Sequence, residues 1–254
     1  MATYKKRGYK PKTKEEKKDA IEDGSATAEV FNTLDAGASK TEAWVEKNQK
    51  YILGLVIAAA VVVLGYLAYS QFIMKPKQEE AMNEMYRATY YYEQALTAES
   101  PDSLYNWALN GQGNNYGFIE IAEKYSGTDA ANLANYYAGV SYLNTNRYSE
   151  AINYLDAFKS DDANVAPVAK GAIGDAFVQL GQNDEALKYY EEAASMAANE
   201  FTSPRFLLKA GITAMNLGQA SKAVQHFKGI IDNYPKAAEA KQAKAFIGKA
   251  ESMQ

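Results

Sequence analysis

The sequence predicts an all-α fold: one transmembrane helix, then an α-solenoid of antiparallel helical hairpins. Three observations predict it. Between Tyr51 and Met74 no side chain is charged, in a chain that is 23% charged overall. Beyond that run, small-residue pairs recur at Ala138-Gly139, Ile173-Gly174 and Ala210-Gly211, with the glycines 35 and 37 residues apart. Within each period a turn residue (Asn146, Gly181 or Gly218) separates two stretches of helical apolar spacing. Repeats of about 20–50 residues mark architectures whose units bury their apolar faces only by stacking on one another.

The apolar run Tyr51–Ile73 is 23 residues long. At a rise of ~1.5 Å per residue it crosses a hydrocarbon core of ~30 Å with some tilt. It starts after 50 residues, whereas a secretory signal would start near the first and have a shorter apolar core. Trp44 and Tyr51 at one end, and Tyr66, Tyr69 and Phe72 at the other, suit the two interfaces. Lys40, Lys47 and Lys50 on one side balance Lys75, Lys77 and Arg87 on the other. The distal run Lys5, Lys6, Arg7, Lys10, Lys12, Lys14, Lys17 and Lys18 breaks the tie towards a cytoplasmic N-terminus. Gly54, Ala58, Val61, Gly65 and Ala68 share one face of the span. They can admit a partner helix, or reflect the ordinary Gly and Ala content of membrane helices.

These features divide the chain into a basic, largely disordered cytoplasmic tail (1–38), a juxtamembrane and transmembrane helix (39–75), and a C-terminal helical domain (76–254). Residues 1–18 hold 8 Lys and Arg against 2 Asp and Glu, while the part beyond Met74 holds 16 against 22. The Lys/Glu-rich start cannot bury enough apolar surface to fold alone. It can dock on lipid headgroups or a cytoplasmic partner, or simply enforce topology. Ala28–Leu34 allows a short amphipathic turn or two. Ser39-Lys40-Thr41-Glu42 has the form of a capping box and predicts a helix start there. The acidic C-terminal part argues against nucleic acid as a ligand.

In the repeats, each small pair stands where the two helices of a hairpin cross, and a large side chain there would hold them apart. Gly181 and Gly218 are placed to end first helices in the left-handed backbone, and Asn146 tolerates the same geometry. The second helices then bring Ala151, Leu155 and Phe158; Ala186, Tyr190 and Ala193; and Ala223, Phe227 and Ile230. A second echo, Glu123–Tyr125 with Ala131, Ala134 and Gly139 against Asp232–Tyr234 with Ala240, Ala243 and Gly248, holds at a shift of 109. It marks Tyr116–Tyr125 as the second helix of a degenerate earlier repeat, with Gln78–Leu96 as its first, Pro76 opening that helix, and Ala237–Met253 as a closing helix. Gly111–Asn115 is a loop; it lacks the Gly-Lys-Ser/Thr a phosphate cradle needs.

These residues resemble the tetratricopeptide repeat family. With the preceding tail and span, the chain over about residues 40–254 resembles the YfgM-like ancillary subunits of the bacterial Sec translocon, and the long basic tail looks like the version found in Bacteroidota. The resemblance implies a single-pass inner-membrane protein whose repeats face the periplasm and associate with the SecYEG translocon. It also implies chaperoning of emerging secretory chains together with a membrane-anchored periplasmic prolyl isomerase. In the tetratricopeptide fold the first helix of each hairpin lines a concave groove. That places Leu133, Tyr136, Val140 and Leu143 there in the first repeat, Val168, Asp175 and Val178 in the second, and Leu208, Ile212 and Met215 in the third. Such a groove suits an extended apolar segment or a partner helix. The same side chains can instead pack on neighbouring helices.

No catalytic constellation stands out. The chain has no cysteine and a single histidine, His226, which removes thiol chemistry and multi-histidine metal sites. His226 reads as a helix-surface residue. Asp161-Asp162 and Glu191-Glu192 are sequence neighbours whose carboxylates point apart. The expectation is a protein without enzymatic activity or cofactor. A structural scaffold for an envelope assembly, and a cytosol-facing membrane adaptor, are the alternatives to a translocon-associated module.

Overall fold

The structure is a computed structural model, which describes the backbone from Ala26 to Gln254 and side chains from Glu42 onward. Expectations for residues 1–25 lie outside the described residues. The described residues divide into two units, the first ending at Tyr69 and the second running from Ser70 to Gln254. In the first, one helix, α1, runs from Ala26 to Tyr69. The predicted start at Ser39 is therefore corrected: Ser39 lies inside α1, and residues 26–38 are helical rather than disordered. No proline occurs between Pro11 and Pro76, so nothing in that stretch breaks a helix once it has started. The apolar side chains of the run stand open, with Leu55 at 71% and Val62 at 71% exposure. Among the described residues this is one helix long and apolar enough to cross a membrane.

The second unit opens with a π-helical turn, Ser70–Met74. Ten α-helices follow among the described residues, and no strand: α2 (Lys75–Ala95), α3 (Asp102–Asn110), α4 (Phe118–Lys124), α5 (Asp129–Asn144), α6 (Tyr148–Ala157), α7 (Val165–Gln179), α8 (Asn183–Met196), α9 (Ser203–Asn216), α10 (Ala220–Asn233) and α11 (Ala238–Glu251). The fold is the expected all-α solenoid. Hairpins α5/α6, α7/α8 and α9/α10 stack in order; α2, α3 and α4 close one end and α11 the other. Helix α3 has no counterpart in the sequence reading. Its signal was Tyr105, Ala108 and Leu109, three buried residues at helical spacing.

The three hairpin turns use one device. Gly181 and Gly218 have φ of 72° and 73°, and Asn146 has 59°. The next N–H reaches back five residues each time: Arg147 to Tyr142 O (2.9 Å), Gln182 to Phe177 O (2.9 Å) and Gln219 to Ala214 O (2.8 Å). This is the Schellman closure, which satisfies carbonyls that a helix end would otherwise leave bare.

The small pairs act as their spacing predicts. A Cβ at Gly139 would stand 2.5 Å from Leu155 Cγ, at Gly174 2.6 Å from Tyr190 Cε1, and at Gly211 2.4 Å from Phe227 Cε1. Each second helix thus lays a core side chain directly on the first helix's backbone. Gly171 does the same between repeats, where a Cβ would lie 1.9 Å from Phe206 Cε1 of α9. The core falls into an N-terminal cluster around Leu109, Phe118, Ile121 and Tyr125, a small central one of Leu155, Ala169 and Ile173, and a C-terminal one around Tyr190, Phe206, Phe227 and Ile230.

Candidate interaction surface

The concave positions come from α5, α7 and α9, and the structure sorts them. Leu133 and Leu143 are half-buried against the N-terminal cluster, because α2 and α3 fold over α5. Tyr136 and Val140 are half-buried against the central cluster. The Tyr136 ring lies 5.1 Å from that of Phe158, and burial raises its hydroxyl pKa. Val168 and Ile212 are half-buried against the C-terminal cluster. Leu208 and Met215 are corrected outright: at 8% and 7% exposure they are core residues. Both belong to the C-terminal core cluster, which α8, α9, α10 and α11 build together. Only Val178, at 37% exposure, stands as an open apolar side chain of this set.

The third α7 position, Asp175, is not free for a ligand. Its carboxylate accepts the Tyr190 hydroxyl at 2.6 Å and pairs with the Lys209 ammonium, 2.7 Å from Oδ2. Lys209 in turn lies 5.5 Å from the Tyr190 ring. Burial, reinforced by the Asp175 charge, raises the Tyr190 pKa, so the phenol keeps its proton and donates it. One carboxylate thereby ties α7, α8 and α9 together. The face thus combines half-buried side chains packed on neighbouring helices with a polar bridge at Asp175.

On the opposite, outer row of helices, His226 is half-buried rather than on the surface. Its Nε2 lies 2.8 Å from Glu191 Oε1, which also accepts Lys222 Nζ at 3.0 Å. Burial lowers the imidazole pKa and outweighs the opposing pull of the Glu191 carboxylate, with Lys222 lowering it further. The folded state therefore binds this proton less readily than the unfolded one. The associated stability is present above the ordinary imidazole value and is lost as pH falls through it towards the folded value. Wild type should lose more of its melting temperature than His226→Gln between about pH 7.5 and about pH 5. Equal losses in the two proteins would contradict the assignment.

An exposed stripe escaped the sequence reading. Met82, Tyr86 and Tyr90 stand at 49%, 69% and 44% exposure on one face of α2. Tyr90, Tyr91 and Trp107 continue it edge to face, with centroids 5.6 Å apart at each step. Its signal was present as the spacing 82, 86, 90, but Tyr92 in the same run turns inward, 4.9 Å from Tyr137. In α1, Gly54, Ala58, Val61, Gly65 and Ala68 are all exposed, and a Cβ at Gly54 or Gly65 would meet nothing within 4 Å.

Fold and surface together define a tetratricopeptide-like helical domain of the protein-interaction class. Residues 78–246 match the family described as T7SS, ESX-1 secretion system protein EccA1, N-terminal domain, and the chain belongs to that family. The match runs from the first turns of α2 into α11 and leaves the apolar helix outside it. No curated protein matches the chain.

Proposed function

We propose that the protein is a single-pass inner-membrane interaction module whose helical domain faces the periplasm at the Sec translocon. There it assists or organises the chaperoning of emerging secretory and membrane proteins, alongside a membrane-anchored periplasmic prolyl isomerase. The observation that carries this reading is the exposed, uncharged Tyr51–Ile73 run, followed within two residues by the tetratricopeptide-like domain. A short link of this kind tethers the domain to the membrane across which an exported chain emerges. Membership in a family named for a secretion-system protein supports a role in export. On this reading the module works by binding, and its one histidine takes part in the contact between α8 and α10.

The test joins topology to partners. A reporter active only in the periplasm, fused after Gln254, should be active, and the same reporter ahead of Met1 should be silent. The full chain, purified from native membranes in mild detergent, should bring SecYEG subunits with it. Activity only from the N-terminal fusion would make the protein a cytosol-facing adaptor. Correct topology with envelope proteins but no translocon subunits would make it a scaffold.

A further inference from the structure

The turn between α4 and α5 is held against Met74 and the first turns of α2. Met74, which closes the π-helical turn, has its Cε 4.0 Å from where a Cβ on Gly127 would lie. Three residues later the Lys77 ammonium donates to the Ser126 carbonyl at 2.8 Å. The Tyr125 hydroxyl donates to Glu80 at 2.8 Å, and the Ala130 N–H donates to Gln78 at 3.3 Å. Immediately before Met74, Phe72 and Ile73 are 77% and 54% exposed. In the membrane reading those two side chains sit at the bilayer boundary. The Ser126–Asp129 turn, in contact with the next residue, must then lie at headgroup level.

Behind that turn is a cavity of about 470 Å³, within the usual range of ~300–1,000 Å³ for small-molecule sites. Its polar lining is Ser126, Thr128, Asp129, Asn132, Asn135 and Lys159, and the remainder is alanine and Gly127. No large apolar side chain is present to hold an acyl chain. One carboxylate and one ammonium balance, so the cavity favours neither a purely anionic nor a purely cationic guest. Asn132 is already fixed, its amide exchanging two hydrogen bonds with the Lys159 backbone (2.7 and 2.8 Å). Among the described residues the side chains of Asp129 and Asn135 make no hydrogen bond.

We propose that the Ser126–Asp129 turn and the cavity behind it form a headgroup-contact surface. It takes a zwitterionic phospholipid headgroup and holds the solenoid at a fixed distance from the bilayer. This rests on the membrane-anchored reading above, and the experiment separates the two. The chain has no cysteine, so spin labels can be placed singly at Val61→Cys, Ser126→Cys and Ser252→Cys in the full-length protein. The protein is reconstituted into phosphatidylcholine vesicles, and collision with a water-soluble nickel relaxant is measured. Val61 should be shielded, Ser252 freely accessible, and Ser126 severalfold less accessible than Ser252. Adding Asp129→Lys, which makes the cavity cationic, should raise accessibility at Ser126. An accessible Val61 overturns the membrane reading and this surface with it. A shielded Val61 with Ser126 as accessible as Ser252 overturns this surface alone. Shielding at Ser126 that ignores Asp129→Lys overturns the cavity as the headgroup site.

Discussion

Gly174→Leu should melt about 5–10 °C below wild type, by circular dichroism of the full chain in detergent. The basis is the 2.6 Å between a Cβ at Gly174 and Tyr190 Cε1. A leucine cannot enter without driving out the ring, and overpacking of this kind typically costs ~1–3 kcal/mol, sometimes more. Here the displaced ring carries the hydroxyl that donates to Asp175 at 2.6 Å. Moving it therefore strips a partner from a carboxylate that also serves Lys209, so the loss belongs at the upper end of that range. Gly248→Ala supplies the contrast. It is a helical glycine with nothing within 4 Å of an added Cβ, and alanine in a helix interior gains ~0.5–1 kcal/mol over glycine. Its melting curve should match wild type or lie slightly higher. If Gly174→Leu melted like Gly248→Ala, α7 and α8 would not cross where the repeat pattern places them.

What could be read in the sequence was whatever depends on neighbours within one hairpin. Gly139, Gly174 and Gly211 announce close crossing through their spacing, and Asn146, Gly181 and Gly218 announce left-handed turns through their chemistry. Both hold because the partner, a side chain one helix later, is fixed by the same period. Contacts between repeats were harder. Gly171 lies over Phe206, 35 residues on, and no in-hairpin pattern marks that glycine. His226 reaches Glu191 across two repeats, which turns an apparent surface residue into a half-buried one. The ends of the solenoid were the least legible. The echo of Ala131, Ala134 and Gly139 in Ala240, Ala243 and Gly248 marks α11 as a helix of the first kind, but it does not show which α9 side chains lie in the core beside it. Leu208 and Met215 fall in the core cluster that α9 shares with α8, α10 and α11 rather than in a groove. The start of α1 was misplaced for a related reason: Ser39–Glu42 fits a capping box locally, but a helix already running from Ala26 has no use for a cap there.

The same sorting decides how the concave face can be tested, and it yields the second large effect. Replacing Tyr136, Val140 and Ile212 together with Ser should destabilise the domain before any binding can be read. All three are half-buried and packed on core clusters. Full burial of such side chains is worth roughly 1.5–3 kcal/mol each, so half of that, summed over three, gives about 2–4 kcal/mol. The Tyr136–Phe158 ring contact at 5.1 Å adds a further ~0.5–1.5 kcal/mol for an aromatic pair. The melting temperature of the triple variant should fall by roughly 5–15 °C. Val178→Asp is the variant that reads binding. Val178 is the open apolar member of the set, near the C-terminal end of α7, so a charge there costs the fold little beyond an unfavourable helix-end placement of ~0.3–1 kcal/mol. It nevertheless places a carboxylate where an apolar segment would lie. If the concave face holds exported chains, Val178→Asp should melt close to wild type and recover clearly less of a stalled secretory chain in co-purification from native membranes. Undiminished recovery would move the working surface off the concave face, leaving the open Met82, Tyr86 and Tyr90 row of α2 as the next place to substitute.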